Sequence, residues 1–112
     1  YLGDETLVNL AVAAVEEIGE HDHAIGLIAS SDTFMSNPIH VEKVRNLFPQ
    51  IIAAEMEAAA VAQVCHQFET PFVVIRALSD IAGKEATMSF DEFLPIAALH
   101  STQVILRVIS KL

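Results

Sequence analysis

The chain has 112 residues, of which 53% are hydrophobic, and its 15 acidic and 6 basic side chains give it a net charge of −9. Counting the four glycines and omitting the single tyrosine raises the apolar share further, above the roughly 45–50% of ordinary soluble domains. This composition excludes an intrinsically disordered chain. The length allows one domain or part of one, and a chain this short and apolar leads us to expect part of something larger.

Charge and cysteine content narrow the possible partners and the compartment. An acidic chain without a basic cluster is poorly suited to nucleic acid, so we expect no such partner. The longest stretch without a charged side chain, residues 93–106, falls short of the about 18 apolar residues of a membrane span. No signal-peptide pattern is visible at the start of the chain. The lone Cys65 cannot form an internal disulfide, which favours a cytoplasmic location.

The first half of the chain alternates helical and strand patterns. Apolar residues at helical spacing, with Asp4 as N-cap and Gly19 as the stop, predict a first helix. The apolar run 24–29 predicts a buried strand. Residues 41–48 predict a short amphipathic helix, and residues 51–54 predict a second short strand.

The second half repeats this alternation. Residues 57–68 carry helical apolar spacing, and the β-branched run 71–78 is the strongest strand pattern in the sequence. Ser89 and Glu92 fit a capping box that opens a last helix. Pro95 falls near the sixth position of that helix, where we expect a kink or a loosened first turn. Three strands and four helices in alternation predict an α/β fold with a mostly parallel sheet covered on both faces.

Acidic residues follow every predicted strand: Asp32, then Glu55 and Glu57, then Asp80. In parallel sheets these carboxylates gather at one edge, which is where ligands bind in open α/β folds. Carboxylates in apolar surroundings need hydrogen-bond donors, and a polyhydroxylated or nitrogen-rich ligand could supply them. The alternative is that Glu55 and Glu57 only cap the following helix, and that Asp80 is likewise a helix cap.

Four segments together resemble a known family: GLIASSDTF at 26–34, AEMEA at 54–58, PFVVIRALSD at 71–80 and SFDEF at 89–93. They are similar to the C-terminal half of the 5′-methylthioadenosine/S-adenosylhomocysteine nucleosidases, in the purine nucleoside phosphorylase-like superfamily. The resemblance implies that residues 1–112 form the C-terminal portion of a single nucleosidase domain whose N-terminal portion is absent. The implied fold is three-layered, α/β/α, with three strands and four helices in this chain.

The resemblance also implies a role for each matching residue. Asp80 is the general acid that protonates purine N7, and Ser79 holds its carboxylate. Glu57 accepts hydrogen bonds from the ribose hydroxyls, and its charge favours the oxocarbenium-like sugar of the transition state. Met56 packs against the sugar. Glu55 receives only a supporting role.

The remaining expectations complete the substrate site. Phe34 stacks on adenine, the backbone of Met35 reads the base edge, and Phe90 lines the alkylthio subsite. The resemblance implies adenine release in methionine salvage by a cytoplasmic homodimer, with a small purine nucleoside as substrate and no cofactor or metal. The His21-Asp22-His23 turn is expected to be solvated rather than a metal site, and Cys65 to be a buried structural thiol.

The sequence leaves open whether this chain is active and whether the reaction is hydrolysis or phosphorolysis. Ser31 stands where the family usually has glycine, and the missing half of the family enzyme carries the glutamate that activates water, so this chain alone should not turn over substrate. No arginine occurs between Arg76 and Arg107 to help protonation as in the related hexameric phosphorylases, which favours hydrolysis. A phosphorylase of the same superfamily and a non-catalytic fragment that associates through apolar surface remain the alternatives.

Overall fold

The computed structural model describes residues 1–20, 22–32, 37–78 and 90–112, without the side chains of residues 90, 91 and 93. These ranges contain four helices and two strands: α1 Glu5–Ile18, β1 Leu27–Ser30, α2 Pro38–Leu47, β2 Ile51–Glu55, α3 Ala58–Gln67 and α4 Phe90–Ser110. Among these helices, none is long and apolar enough to cross a membrane.

The ends of α1 confirm the signals that predicted it. The Asp4 side chain accepts a hydrogen bond from the backbone N–H of Leu7 at 2.9 Å, which satisfies one of the free donors of the first turn. Gly19 adopts the left-handed conformation at φ 72°, and its N–H donates to the carbonyl of Val15. Glycine enters this region without the steric penalty of a side chain, so it stops the helix here.

The two strands pair in parallel, as predicted. Ser30 lies opposite Glu55 in the register, and the N–H of Ser31 donates to the Glu55 carbonyl at 2.9 Å. The crossover between the strands is made by α2, which begins after the N-cap Asn37 with Pro38 in its first turn. Proline suits that position because its missing N–H has no partner within the helix. The parallel pairing brings the carboxyl ends of β1 and β2 together.

The predicted third strand is not formed within the described residues. Residues 71–78 have no strand assignment, and the observed sheet has two strands. The Phe72 carbonyl instead accepts a hydrogen bond from the N–H of Asp4 at 2.7 Å. A strand is defined by pairing with a neighbour, and an apolar β-branched run shows only that a segment suits a half-buried, pleated surface.

A cluster of buried apolar residues joins α1 and α4. Ala14, Val104 and Val108 are buried there, with Leu10 and Ile75 packed against them. Large apolar side chains are exposed to solvent on the faces of α3 and α4 that lie outside this cluster and at the end of α3. They include Val61, Val64, Phe68, Leu99, Leu106 and Ile109. The described part of α4 starts at Phe90, and the helix contains Pro95, as predicted. Ser89 itself lies outside the described residues, and Cys65 on α3 is half-buried rather than buried.

Candidate functional site

The candidate site lies where β1 and β2 end and α3 begins. Glu55, the last residue of β2, is buried, with only 4% of its side chain exposed. Its neighbour across the sheet is Ser30, the last residue of β1. An ionised carboxylate in this position is stable only if donors surround it, so the partners of Glu55 decide what the site can do.

The protein supplies those donors itself. The Ser30 hydroxyl donates to Oε1 of Glu55. Oε2 accepts from the backbone N–H groups of Glu57 and Ala58, each at 2.8 Å. The Ser30 Oγ in turn accepts from the N–H of Ala59 at 2.8 Å. The expectation that a ligand would satisfy the acids after the strands is therefore wrong for Glu55, because a hydroxyl and the first turn of α3 already do so.

Arg76 adds a positive charge to this cluster. Its Nη2 lies 4.0 Å from Oε2 of Glu55 and 3.5 Å from Oε2 of Glu57. Burial raises the pKa of Glu55, but the hydrogen bonds from Ser30 and from the α3 backbone, together with the charge of Arg76, outweigh it and hold the pKa below its ordinary value. Glu55 is thus an ionised carboxylate whose two oxygens both accept hydrogen bonds from the protein.

Glu57 shares the ion pair with Arg76 but differs from Glu55 in its burial and in its hydrogen bonds. Its side chain is 68% exposed, and although it occupies the N-cap position of α3, that side chain makes no capping hydrogen bond within α3. Oε2 accepts one long hydrogen bond, at 3.3 Å, from the N–H of Met56. The helix-capping interpretation therefore holds for Glu55 and fails for Glu57, whose carboxylate keeps acceptor capacity for a ligand.

The two carboxylates and Arg76 line one part of a cavity of about 400 Å³. Its remaining walls are mostly apolar and come from α3, from α4 and from residues 73–75. A hydroxylated ligand placed against Glu57 would meet a charged acceptor beside apolar surface, and hydrogen bonds to a charged acceptor are stronger than neutral ones. The described part of the site is suited to binding hydroxyl groups.

Of the predicted site residues, the structure describes the side chains of two. Met56 is 47% exposed and immediately precedes Glu57 at the end of β2. The side chains expected to hold the base, the acid and the alkylthio group lie outside the described residues: Phe34, Met35, Ser79, Asp80 and Phe90. Sequence reasoning missed Ser30 and the ion pairs of Arg76. The available signal was that Ser30 and Glu55 both directly follow apolar strand residues.

Known proteins resemble the chain over its whole length. The family model of the phosphorylase superfamily matches residues 1–110. The chain belongs to the phosphorylase superfamily. A 5′-methylthioadenosine/S-adenosylhomocysteine nucleosidase of Lysinibacillus sphaericus is 65% identical to it over 112 residues, which are 100% of this chain and 49% of that protein. The chain thus spans about half the length of the curated relatives it matches.

Solved structures give the same relationship. The 5′-methylthioadenosine/S-adenosylhomocysteine nucleosidase of Neisseria meningitidis in complex with methylthio-immucillin-A matches with a TM-score of 0.91 and 43% identity, over 100% of this chain and 48% of that one. The Colwellia psychrerythraea nucleosidase in complex with adenine matches with a TM-score of 0.88 and 45% identity, over 100% and 47%. The chain therefore shares the nucleoside phosphorylase-like α/β fold of these proteins.

Proposed function

We propose that the full-length protein containing this chain hydrolyses the N-glycosidic bond of 5′-methylthioadenosine and S-adenosylhomocysteine and releases adenine. The observation that carries the proposal is the 65% identity, over all of this chain, to a protein named for that activity. The exposed Glu57 carboxylate at the carboxyl end of the parallel strands supports it, because it is placed and charged to accept hydrogen bonds from a sugar.

In the proposed reaction, water adds to the anomeric carbon of the ribose as the bond to the base breaks, and its proton passes to a glutamate that the family resemblance assigns to the N-terminal portion of the domain. Asp80 protonates N7 of the leaving adenine, which neutralises the charge that the departing base acquires. Ser79 holds the Asp80 carboxylate in position. Both residues follow segment 71–78 in the chain, and residues 73–76 of that segment line the same cavity as Glu55 and Glu57.

Glu57 accepts hydrogen bonds from the ribose hydroxyls in this proposal, and Met56 packs against the sugar. The negative charge of Glu57 also favours the positive charge that develops on the sugar ring. The surroundings of Arg76 favour hydrolysis over phosphorolysis. In the part of the chain that the structure describes, its guanidinium faces the carboxylates of Glu55 and Glu57 and not an open anion site. An arginine neutralised in this way is a poor phosphate ligand.

The remaining parts of the site and of the fold follow from the same resemblance. Phe34 stacks on adenine, the backbone of Met35 reads its edge, and Phe90 lines the alkylthio pocket. Residues 71–78 become a third strand, and the sheet a three-layer α/β/α unit, when the N-terminal portion of the domain is present. The protein acts as a cytoplasmic homodimer in methionine salvage, on a small nucleoside and without a metal or other cofactor.

The test is adenine release from 5′-methylthioadenosine by the full-length protein, with and without inorganic phosphate. Asp80→Asn is expected to lower kcat by about 10²- to 10⁴-fold, the usual contribution of a general acid. Asp22→Asn is the matched control, because Asp22 is exposed and precedes β1, whereas the site follows it. Full activity of Asp80→Asn would remove Asp80 as the acid. Release that requires phosphate would establish a phosphorylase instead.

A further inference from the structure

We propose that Ser30 is a positioning residue of the nucleoside site, which acts through Glu55 to hold Glu57 in its binding position. The inference deepens the proposed function and rests on it, because it assumes that Glu57 binds the sugar. It starts from a contrast in the described site. The buried Glu55 carboxylate accepts three hydrogen bonds, from Ser30, Glu57 and Ala58, whereas the exposed carboxylate of Glu57 accepts one weak hydrogen bond from the residues that the structure describes.

The Ser30 hydroxyl connects the end of β1 with the end of β2, 25 residues away, and with the start of α3, 29 residues away. As a donor it binds Oε1 of Glu55, and as an acceptor it takes the N–H of Ala59 in the first turn of α3. The other oxygen of Glu55 takes the N–H groups of Glu57 and Ala58. Three consecutive backbone N–H groups, those of residues 57, 58 and 59, are therefore tied to the Ser30–Glu55 pair.

This arrangement determines the direction in which Glu57 leaves the backbone. The N–H of Glu57 is one of the tied groups, and its backbone lies outside the helical region at φ −126° and ψ −28°. Without the tie, the N-terminus of α3 loses its side-chain caps and Glu57 can adopt other backbone angles. An error of about 1 Å in the position of a binding group can cost about 10²-fold in rate.

Arg76 links Glu55 and Glu57 electrostatically, so a change at Glu55 also affects Glu57. Its Nη2 lies between the two carboxylates, at 4.0 Å from Glu55 and 3.5 Å from Glu57. Loss of the Ser30 hydroxyl leaves Oε1 of Glu55 without its donor, so the carboxylate is held to α3 through Oε2 alone and can turn about that contact. The guanidinium of Arg76 can then move closer to one of the two carboxylates. Its distance from Glu57 decides how many Glu57 oxygens can accept hydrogen bonds from a sugar.

Serine is suited to this role because one hydroxyl both donates and accepts. Alanine does neither, and threonine does both. We therefore expect Ser30→Ala to lower kcat/KM of the full-length protein for 5′-methylthioadenosine by about 10- to 100-fold. Ser30→Thr should retain clearly more activity than Ser30→Ala. Ser110→Ala is the control, because this exposed hydroxyl at the end of α4 donates to the carbonyl of Arg107 at 2.7 Å, far from Glu55 in the chain, and it should leave kcat/KM unchanged.

A double-mutant cycle with Glu57→Gln distinguishes positioning from a general structural effect. If Ser30 acts through Glu57, Ser30→Ala should change kcat/KM by less than about twofold in the Glu57→Gln background. A change of about twofold is the usual error of such cycles, so a smaller one means that Ser30 has no separate effect. Thermal unfolding of each variant separates loss of folded protein from loss of activity. If Ser30→Ala does not fold, Ser30→Cys takes its place, because a thiol is a weak donor and acceptor.

The outcomes separate this inference from the proposed function. A wild-type protein that releases no adenine would refute the function itself. With an active wild type, three results would each overturn the role of Ser30: full activity of Ser30→Ala, equal losses in the alanine and threonine variants, or the same loss in the wild-type and Glu57→Gln backgrounds. A loss that disappears in the Glu57→Gln background supports it.

Discussion

Replacement of Glu55 by glutamine tests the buried carboxylate most directly, because the side chain keeps its shape and loses its charge. The glutamine carbonyl can still accept the two N–H groups of Glu57 and Ala58, each at 2.8 Å in the wild type. Its amide then faces Ser30, whose hydroxyl loses its acceptor. The variant therefore exchanges charge-assisted hydrogen bonds for neutral ones and breaks one of them.

The size of the effect follows from these contacts. A hydrogen bond to a charged group contributes about 1.5–3 kcal/mol and a neutral one about 0.5–1.5 kcal/mol, so the two backbone bonds lose roughly 1 kcal/mol each and the broken bond to Ser30 about 1.5–3 kcal/mol. The ion pair with Arg76 is long, and that side chain is 43% exposed, so solvent screening limits its loss to about 1 kcal/mol or less. Glutamine also avoids the cost of burying a charge, which offsets part of this sum. We expect Glu55→Gln to lower the free energy of unfolding by about 2 kcal/mol.

Urea unfolding of the full-length protein at neutral pH measures this difference. Glu57→Gln is the matched control, because the same chemical change is made on a side chain that is 68% exposed. There we expect less than about 1 kcal/mol, the usual range for an exposed ion pair. Equal destabilisation by the two variants, or a Glu55→Gln protein as stable as the wild type, would refute the assignment of Glu55 as the buried anchor of α3.

Three further predictions concern pH and the ends of α1. Because the pKa of Glu55 lies below its ordinary value of 4.5, its stabilisation is present above that pH and is lost as the pH falls through the folded-state pKa. The stability gap between wild type and Glu55→Gln should therefore narrow in acid, and a constant gap in urea titrations would contradict this. Asp4→Ala should cost about 1 kcal/mol by loss of the N-cap, while Asp4→Asn, which keeps an acceptor, should cost less in the same assay. Gly19→Ala should cost about 1 kcal/mol in thermal unfolding, because alanine is strained in the left-handed region, and an unchanged midpoint would count against the observed cap.

Local signals in the sequence predicted most of the secondary structure. Asp4 and Gly19 bound α1 where their capping chemistry places them, and the two predicted strands pair in parallel. The first strand is shorter than predicted, since it covers Leu27–Ser30 and leaves out residues 24–26. The caps are predicted correctly because they depend on residues close together in the chain. The burial expected for the first strand is not observed, because no residue of β1 is buried, and in β2 only Glu55 is. Residues 71–78 show where this reasoning ends: their composition suits a strand, but pairing depends on a neighbouring backbone that composition does not identify.

The candidate site divides in the same way. From the sequence alone, Glu55 and Glu57 were two acids at one strand end, with ligand binding and helix capping both open. The sequence was sufficient to place acids at the end of β2 and to show the likeness to nucleosidases, because both depend on the identity and order of residues. Only the tertiary structure distinguished the two acids: the parallel register sets Ser30 against Glu55 and Arg76 near both. Burial with these partners makes Glu55 part of the fold, whereas Glu57 stays exposed to solvent and keeps acceptor capacity for the ligand that we propose.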